Sequence, residues 1–195
     1  MKQITQINKI CWVLSLVIFL MAGGQTLAQT TYTLTADQEF KVEGTSTIHD
    51  WEMISDKARG EAKIDIKGQK IENIKSLSIT LPTNSLKSGK NSMDDNAYEA
   101  LNARQHPKIQ FELTEVESIT AQIIKAKGKI TIAGTTREVL IDVTYKVSEN
   151  TIVFTGEFPI TFKQFDVDPP KAVFGTITTG NELKISFKTT FKSIN

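Results

Sequence analysis

The chain has 195 residues, 39% of them hydrophobic and 23% charged, and its 23 basic and 22 acidic side chains leave a formal net charge of +1. Near-neutrality with the two signs interspersed offers no electrostatic case for a nucleic-acid partner or an anionic membrane surface. A single cysteine rules out an internal disulfide framework and any paired-cysteine metal site.

The N-terminal segment reads as an export signal. Lys2 and Lys9 form a short basic head, Ile10 to Gly23 is almost wholly apolar, and Thr26 and Ala28 have the spacing that a signal peptidase reads. This predicts a signal peptide over 1–28, cleaved after Ala28, and a mature domain over 29–195 that is periplasmic or secreted. The apolar run is short for a membrane span of ~20 residues. Cys11 lies inside it rather than at its exit, where a lipid-attachment cysteine belongs. Cleavage removes Lys2, Lys9 and the only cysteine, leaving 21 basic against 22 acidic side chains. The mature chain must therefore be held by an apolar core, which its length supplies as one domain without a further membrane span.

Beyond the signal the dominant period is two. Lys63 to Lys67 alternates polar and apolar around Ile64 and Ile66, and Ser76 to Leu81 does so around Leu77 and Ile79. Val139, Ile141, Val143, Tyr145 and Val147 continue the pattern, as do Leu183, Ile185, Phe187 and Phe191. Such alternation sets one face on a core and the other in water. Gly44, Gly60, Lys67-Gly68-Gln69, Glu149-Asn150 and Gly180-Asn181 read as turns between these runs. Short strands at this spacing predict a sandwich or barrel. One stretch departs from the rhythm. Ser92-Met93-Asp94-Asp95 resembles a capping box, with Asp95 in the place of the usual Glu. Met93, Ala97, Tyr98 and Leu101 then fall at helical spacing, and Pro107 forces an end. A single helix is expected near residues 93–103, packed on the sheet.

The inventory of reactive groups is thin. The mature chain has His49 and His106 and no P-loop, nucleophile elbow or paired-histidine zinc motif. In Thr47-Ile48-His49-Asp50-Trp51, a histidine beside an aspartate could act as a base with its orienter, but adjacent strand residues point to opposite faces. The plainer reading is a strand-to-turn transition, with Asp50 bonding local backbone and Trp51 entering the core. His106 reads as a surface histidine; a zinc site there would need Asp94 or Asp95 as well. Asp166 and Asp168, before Pro169-Pro170, could serve glycoside hydrolysis or hold a hard cation, but read more simply as a fixed loop at a barrel rim. No catalytic residue, metal or required cofactor is expected.

The motifs do carry a family resemblance. Phe40 to Trp51, reading FKVEGTSTIHDW, looks like the opening of one branch of the YceI-like, polyisoprenoid-binding family. Met93 to Leu101, followed by His106-Pro107-Lys108-Ile109-Gln110-Phe111, resembles its helix and next strand. Gly128 to Arg137 is similar to its strand and turn, and Pro169-Pro170-Lys171-Ala172 with Gly175 to a late motif. The resemblance implies an all-β fold: a lipocalin-like, eight-stranded antiparallel β-barrel with one short helix near its mouth. It implies an apolar cavity for an isoprenoid chain, such as a quinone or polyprenyl tail, and export. The better-described branch carries an Arg-Asp pair and a histidine where this chain has Ser92-Met93-Asp94-Asp95-Asn96. A neutral quinone or a fatty acyl ligand would ask less of such a site than a phosphate.

Lining or core is expected of Phe40, Trp51, Ile64, Ile66, Leu77, Ile79, Phe111, Leu113, Ile130, Ile132, Val143, Tyr145, Phe158, Phe162 and Ile185, with Tyr98 and Leu101 on a helical lid. The expected partner is a long-chain isoprenoid or acyl lipid, and exposed strand edges would permit a homodimer. The competing readings are a filled barrel serving as an interaction or stress-response module, and an enzyme working through His49, Asp50 or the Asp166/Asp168 pair.

Overall fold

A computed structural model describes residues 30–172 and 175–194. The expected signal peptide lies outside the described residues.

Among the described residues ten strands form one antiparallel system: β1 (Thr30–Ser46), β2 (Trp51–Ser55), β3 (Arg59–Lys67), β4 (Lys70–Pro82), β5 (Lys108–Ile119), β6 (Ile123–Ile132), β7 (Thr135–Ser148), β8 (Thr151–Thr161), β9 (Lys171–Ala172) and β10 (Ile177–Ser193). The ladder runs β1-β3-β4-β5-β6-β7-β8-β10 and returns through β1–β10 pairing from Tyr32↔Ser193 to Ser46↔Thr179. The result is a closed, eight-stranded antiparallel barrel, as the alternation and the resemblance predict. Closure removes the long free edges that would have permitted a homodimer by strand pairing.

β2 continues the line of β3. Both pair with β1, β2 through Phe40–Gly44 and β3 through Thr30–Thr33. Between them the chain leaves the ladder, and the Gln38 side chain replaces the lost rungs. Its amide nitrogen donates to the Ala58 carbonyl at 3.0 Å, and its amide oxygen accepts from the Ala58 N–H at 3.1 Å.

The two ends of the barrel differ. At one end β3–β4, β5–β6 and β7–β8 are joined by short turns, and β1 begins and β10 ends there. At the other lie the longer connections, 47–50, 83–107 and 162–176. The second of these carries the helix, α1 (Asn91–Ala100). It begins and ends earlier than the spacing predicts. The Ser92–Asp95 capping box does not form; Lys90 stands at the N-cap, and Asp94 turns back to Ser88. Asn102, at φ 47°, takes the chain out of the helix well before Pro107.

Three glycines expected in turns lie inside strands instead: Gly44 in β1, Gly60 in β3 and Gly180 in β10. Each faces a close neighbour, Trp51, Phe191 and Thr45 respectively, so space rather than chain reversal accounts for them. The β3 alternation also fails locally. Irregular register on either side of Ile64 and Asp65 leaves Asp65 buried, with one carboxylate oxygen 3.5 Å from Lys75 and the other without a partner.

Candidate ligand cavity

Inward side chains divide the interior into a solid floor and an open lumen. At the short-turn end, Ile64, Ile71, Ile152 and Phe191 are fully excluded from solvent. Phe154 packs edge-on to Phe191, with ring centroids 5.8 Å apart and planes at 79°. Above this floor lies a cavity of about 460 Å³ that rises to the helix-bearing mouth. An eight-stranded barrel can be filled by its side chains or hold one small ligand; this one is not filled.

Most of the expected lining is there. Phe40, Trp51, Leu77, Ile79, Leu101, Phe111, Leu113, Ile130, Ile132, Val143, Phe158, Phe162 and Ile185 all face the cavity. Four expected residues do not. Ile64 and Ile66 belong to the floor end of β3, within or against the buried core rather than on the lumen. Tyr145 lies at the same level, where its hydroxyl donates to the Thr120 carbonyl at 3.0 Å. Tyr98 projects from α1 away from the lumen and ties the helix to its own connection. Its hydroxyl lies 2.6 Å from the Leu86 carbonyl and 2.9 Å from that of Asn84.

Lining residues missed by the sequence reading include Val42, Met53, Ile141, Phe154, Phe187 and Phe191. Ile141, Phe187 and Phe191 carried the period-two signal; the others are placed by ladder register. On the helix, Met93 and Ala97 join Leu101 in facing the cavity, packed near Met53, Leu81 and Leu86. α1 thus closes part of the mouth with its apolar side.

The helix is pinned by a buried carboxylate. Asp94, 3% exposed, accepts from the Ser88 N–H at 2.8 Å and the Ser88 hydroxyl at 2.7 Å. Lys87 Nζ stands 3.3 Å from its second oxygen. Burial pushes its pKa up, but the bonds from Ser88 and the Lys87 ammonium together outweigh that and hold it below the ordinary aspartate range. Lys87 itself lies 5.0 Å from the Tyr98 ring centroid, over its face.

The rim is mixed. His49 turns its Nδ1 to the Asp50 carbonyl at 2.8 Å, so the Asp50 backbone, not its carboxylate, takes the local bond. The two residues do not form a base with its orienter. Trp51 sits half-buried at the mouth, its indole N–H donating to the Thr45 carbonyl at 3.0 Å. His106 is half-buried rather than superficial, packed on the Gly134 turn. Asp166 accepts from Arg137 at 3.1 Å and Thr135 at 3.2 Å, while Asp168 is exposed. Among the described residues no group of three or more His, Cys, Asp or Glu could hold a metal ion, and no helix is long and apolar enough to cross a membrane. Among the described residues the charged side chains of the cavity wall are Lys41, Lys90 and Lys171, and Lys41 is paired with Glu43 at 3.1 Å and Glu52 at 3.6 Å.

Comparison with known proteins bears on the whole barrel. The family model of the YceI-like domain matches residues 28–191. Among solved structures, BcnA of Burkholderia cenocepacia is similar at 20% identity and a TM-score of 0.66, over 80% of this chain and 96% of its own. A polyisoprenoid binding domain from Saccharophagus degradans is similar at 7% identity and a TM-score of 0.62, over 85% and 99%. The YCEI protein of Campylobacter jejuni follows at 16% and 0.57, over 70% and 81%. At these identities the likeness establishes the fold. No curated protein sequence matches the chain.

Proposed function

The chain belongs to the YceI-like family, and from that premise we propose that it is an exported binding protein that holds one long-chain apolar ligand inside its barrel. The ligand is an isoprenoid, such as a quinone or polyprenyl tail, or a comparable acyl chain. The observation that carries this reading is the lumen itself: about 460 Å³ of space walled chiefly by aliphatic and aromatic side chains, with Thr189 the buried polar exception and the charged groups at the mouth. A barrel serving only as a filled scaffold would have no use for such a space.

The energetics suit a chain-like ligand. Each methylene removed from water contributes about 0.8 kcal/mol, so ten contribute roughly 8 kcal/mol before ordering costs. Affinity then comes from shape and apolar area and needs no motif. The ammonium groups of Lys90 and Lys171 at the rim suit a polar or charged head left at the surface, with the tail inward. This reading assigns the chain no reaction and no cofactor. It places the mature protein, from Gln29 onward, in the periplasm or outside the cell, on the strength of the N-terminal signal pattern.

Native mass spectrometry of the protein purified from its own envelope, with lipid extraction of the same sample, tests the reading. A stoichiometric isoprenoid or acyl species is expected, on a chain whose first residue is Gln29. A protein that arrives empty and also refuses added quinones, polyprenyl phosphates and fatty acids would sink it.

A further inference from the structure

Four aromatic rings on the cavity wall lie over inward-facing glycines, three of them on the neighbouring strand and the fourth, Phe191, reaching from β10 past β1 to Gly60 on β3. Phe187 faces Gly156, its direct partner in the β10–β8 ladder; a Cβ added there would stand 2.7 Å from the ring and 3.1 Å from the Asp142 carbonyl. Phe111, partnered with Ile130, reaches diagonally over Gly128, where a Cβ would collide with the ring. Trp51 covers Gly44 in the same way, and Phe191 lies 3.3 Å from the Cβ position of Gly60. None of the four glycines has a positive φ, so their backbone conformation is open to any residue. What they supply is the room of an absent side chain. Glycine weakens a strand interior, and it recurs where another group must approach the backbone closely.

At Gly128 and Gly156 the other close neighbour of an added Cβ is a backbone carbonyl, Glu112 at 3.0 Å and Asp142 at 3.1 Å, so the strain of a methyl group there falls on the ring, which yields toward the lumen. We propose that Gly128 and Gly156 are specificity-determining residues: by recessing Phe111 and Phe187 into the wall, they hold the bore wide enough for a methyl-branched chain rather than an unbranched one alone. The inference rests on the ligand-holding reading above and narrows it to the branched class. An eight-stranded barrel with ordinary inward side chains is close to full. An unbranched chain needs the least added width; methyl branches along the chain need more, and the two glycines provide it at mid-wall, on the strands that flank β7.

The test uses the mature chain with two probes, geranylgeraniol as the branched chain and palmitic acid as the unbranched one. One buried methyl group in an apolar pocket discriminates by about 10-fold or more. Gly156→Ala and Gly128→Ala are each expected to weaken geranylgeraniol by about that factor, with palmitic acid affected by less than about threefold. The paired variants Gly156→Ala/Phe187→Leu and Gly128→Ala/Phe111→Leu, which shorten the displaced ring, are expected to restore the branched ligand. Thermal midpoints separate bore from fold, and the two pairs report independently if one single variant does not fold. Single variants that bind geranylgeraniol as tightly as the parent would overturn the inference, as would equal loss of both probes without rescue. A parent protein that binds neither probe would instead overturn the ligand-holding reading.

Discussion

Asp94 is bonded twice to Ser88, from the backbone N–H at 2.8 Å and from the hydroxyl at 2.7 Å, and so fastens the first turn of α1 to the connection that precedes it. Removing the charge in Asp94→Asn is expected to cost about 1–3 kcal/mol, the range for a buried hydrogen-bonded group left imperfectly paired. Urea denaturation reads it. Because the folded pKa is depressed, this contribution is fully present above the ordinary aspartate range and is lost as pH falls through the folded value. A thermal midpoint followed from pH 7 down to about pH 2 should therefore fall less steeply in the variant than in the parent.

Tyr98 holds the other end of the helix by its hydroxyl. Tyr98→Phe removes the bond to the Leu86 and Asn84 carbonyls and is expected to cost about 1 kcal/mol. If α1 closes the mouth, the variant also releases a bound chain faster, which stopped-flow displacement measures. A changed stability with an unchanged release rate would place the exit route elsewhere.

Phe154 and Phe191 form the boundary between floor and lumen. Phe154→Ala is expected to destabilise by about 3–5 kcal/mol, the range for truncating a buried phenylalanine, and to deepen the cavity. An acyl series of increasing length should show its optimum shifted to longer chains. An unmoved optimum would mean that tail length is limited above this ring pair.

Trp51 provides a built-in reporter. It is the one tryptophan between residues 29 and 195, since the other, Trp12, lies in the expected signal peptide. With its ring on the cavity wall and its N–H bonded to Thr45, its emission should shift when a chain fills the lumen. Trp51→Phe should abolish the shift while native mass spectrometry still finds the ligand.

The period of two identified strands and faces well. β7 shows this most clearly, with Ile141, Val143, Tyr145 and Val147 buried and the residues between them exposed. The pattern says inward or outward, however, and nothing of height along the barrel axis. Ile64 and Tyr145 are inward like Ile130 and Val143, yet they lie at the level of the floor and not of the lumen. Height depends on ladder register and tilt, which one strand read alone does not encode. Glycine misled for a related reason. Gly44 and Gly60 resemble punctuation in the sequence, while the rings that need their space come from Trp51, next door in the ladder, and Phe191, at the far end of the chain. The helix end was missed because Pro107 is the visible breaker, whereas the chain turns earlier, at Asn102.

The β1–β10 seam joins parts of the chain that meet late. Thr190 donates to Asp37 at 2.8 Å across 153 positions, while most other ladders link consecutive strands. Local hairpins form fast and distant pairings slowly, because loop closure precedes the contacts that reward it. The seam is thus the expected slow step of folding, and the lumen has no complete wall before it. An intermediate at that stage would expose the same apolar surface that later holds the ligand, and so be the aggregation-prone species. A ligand that binds only the closed barrel would hold the seam shut by mass action, so occupancy would set how long the folded state lasts as well as what the protein carries.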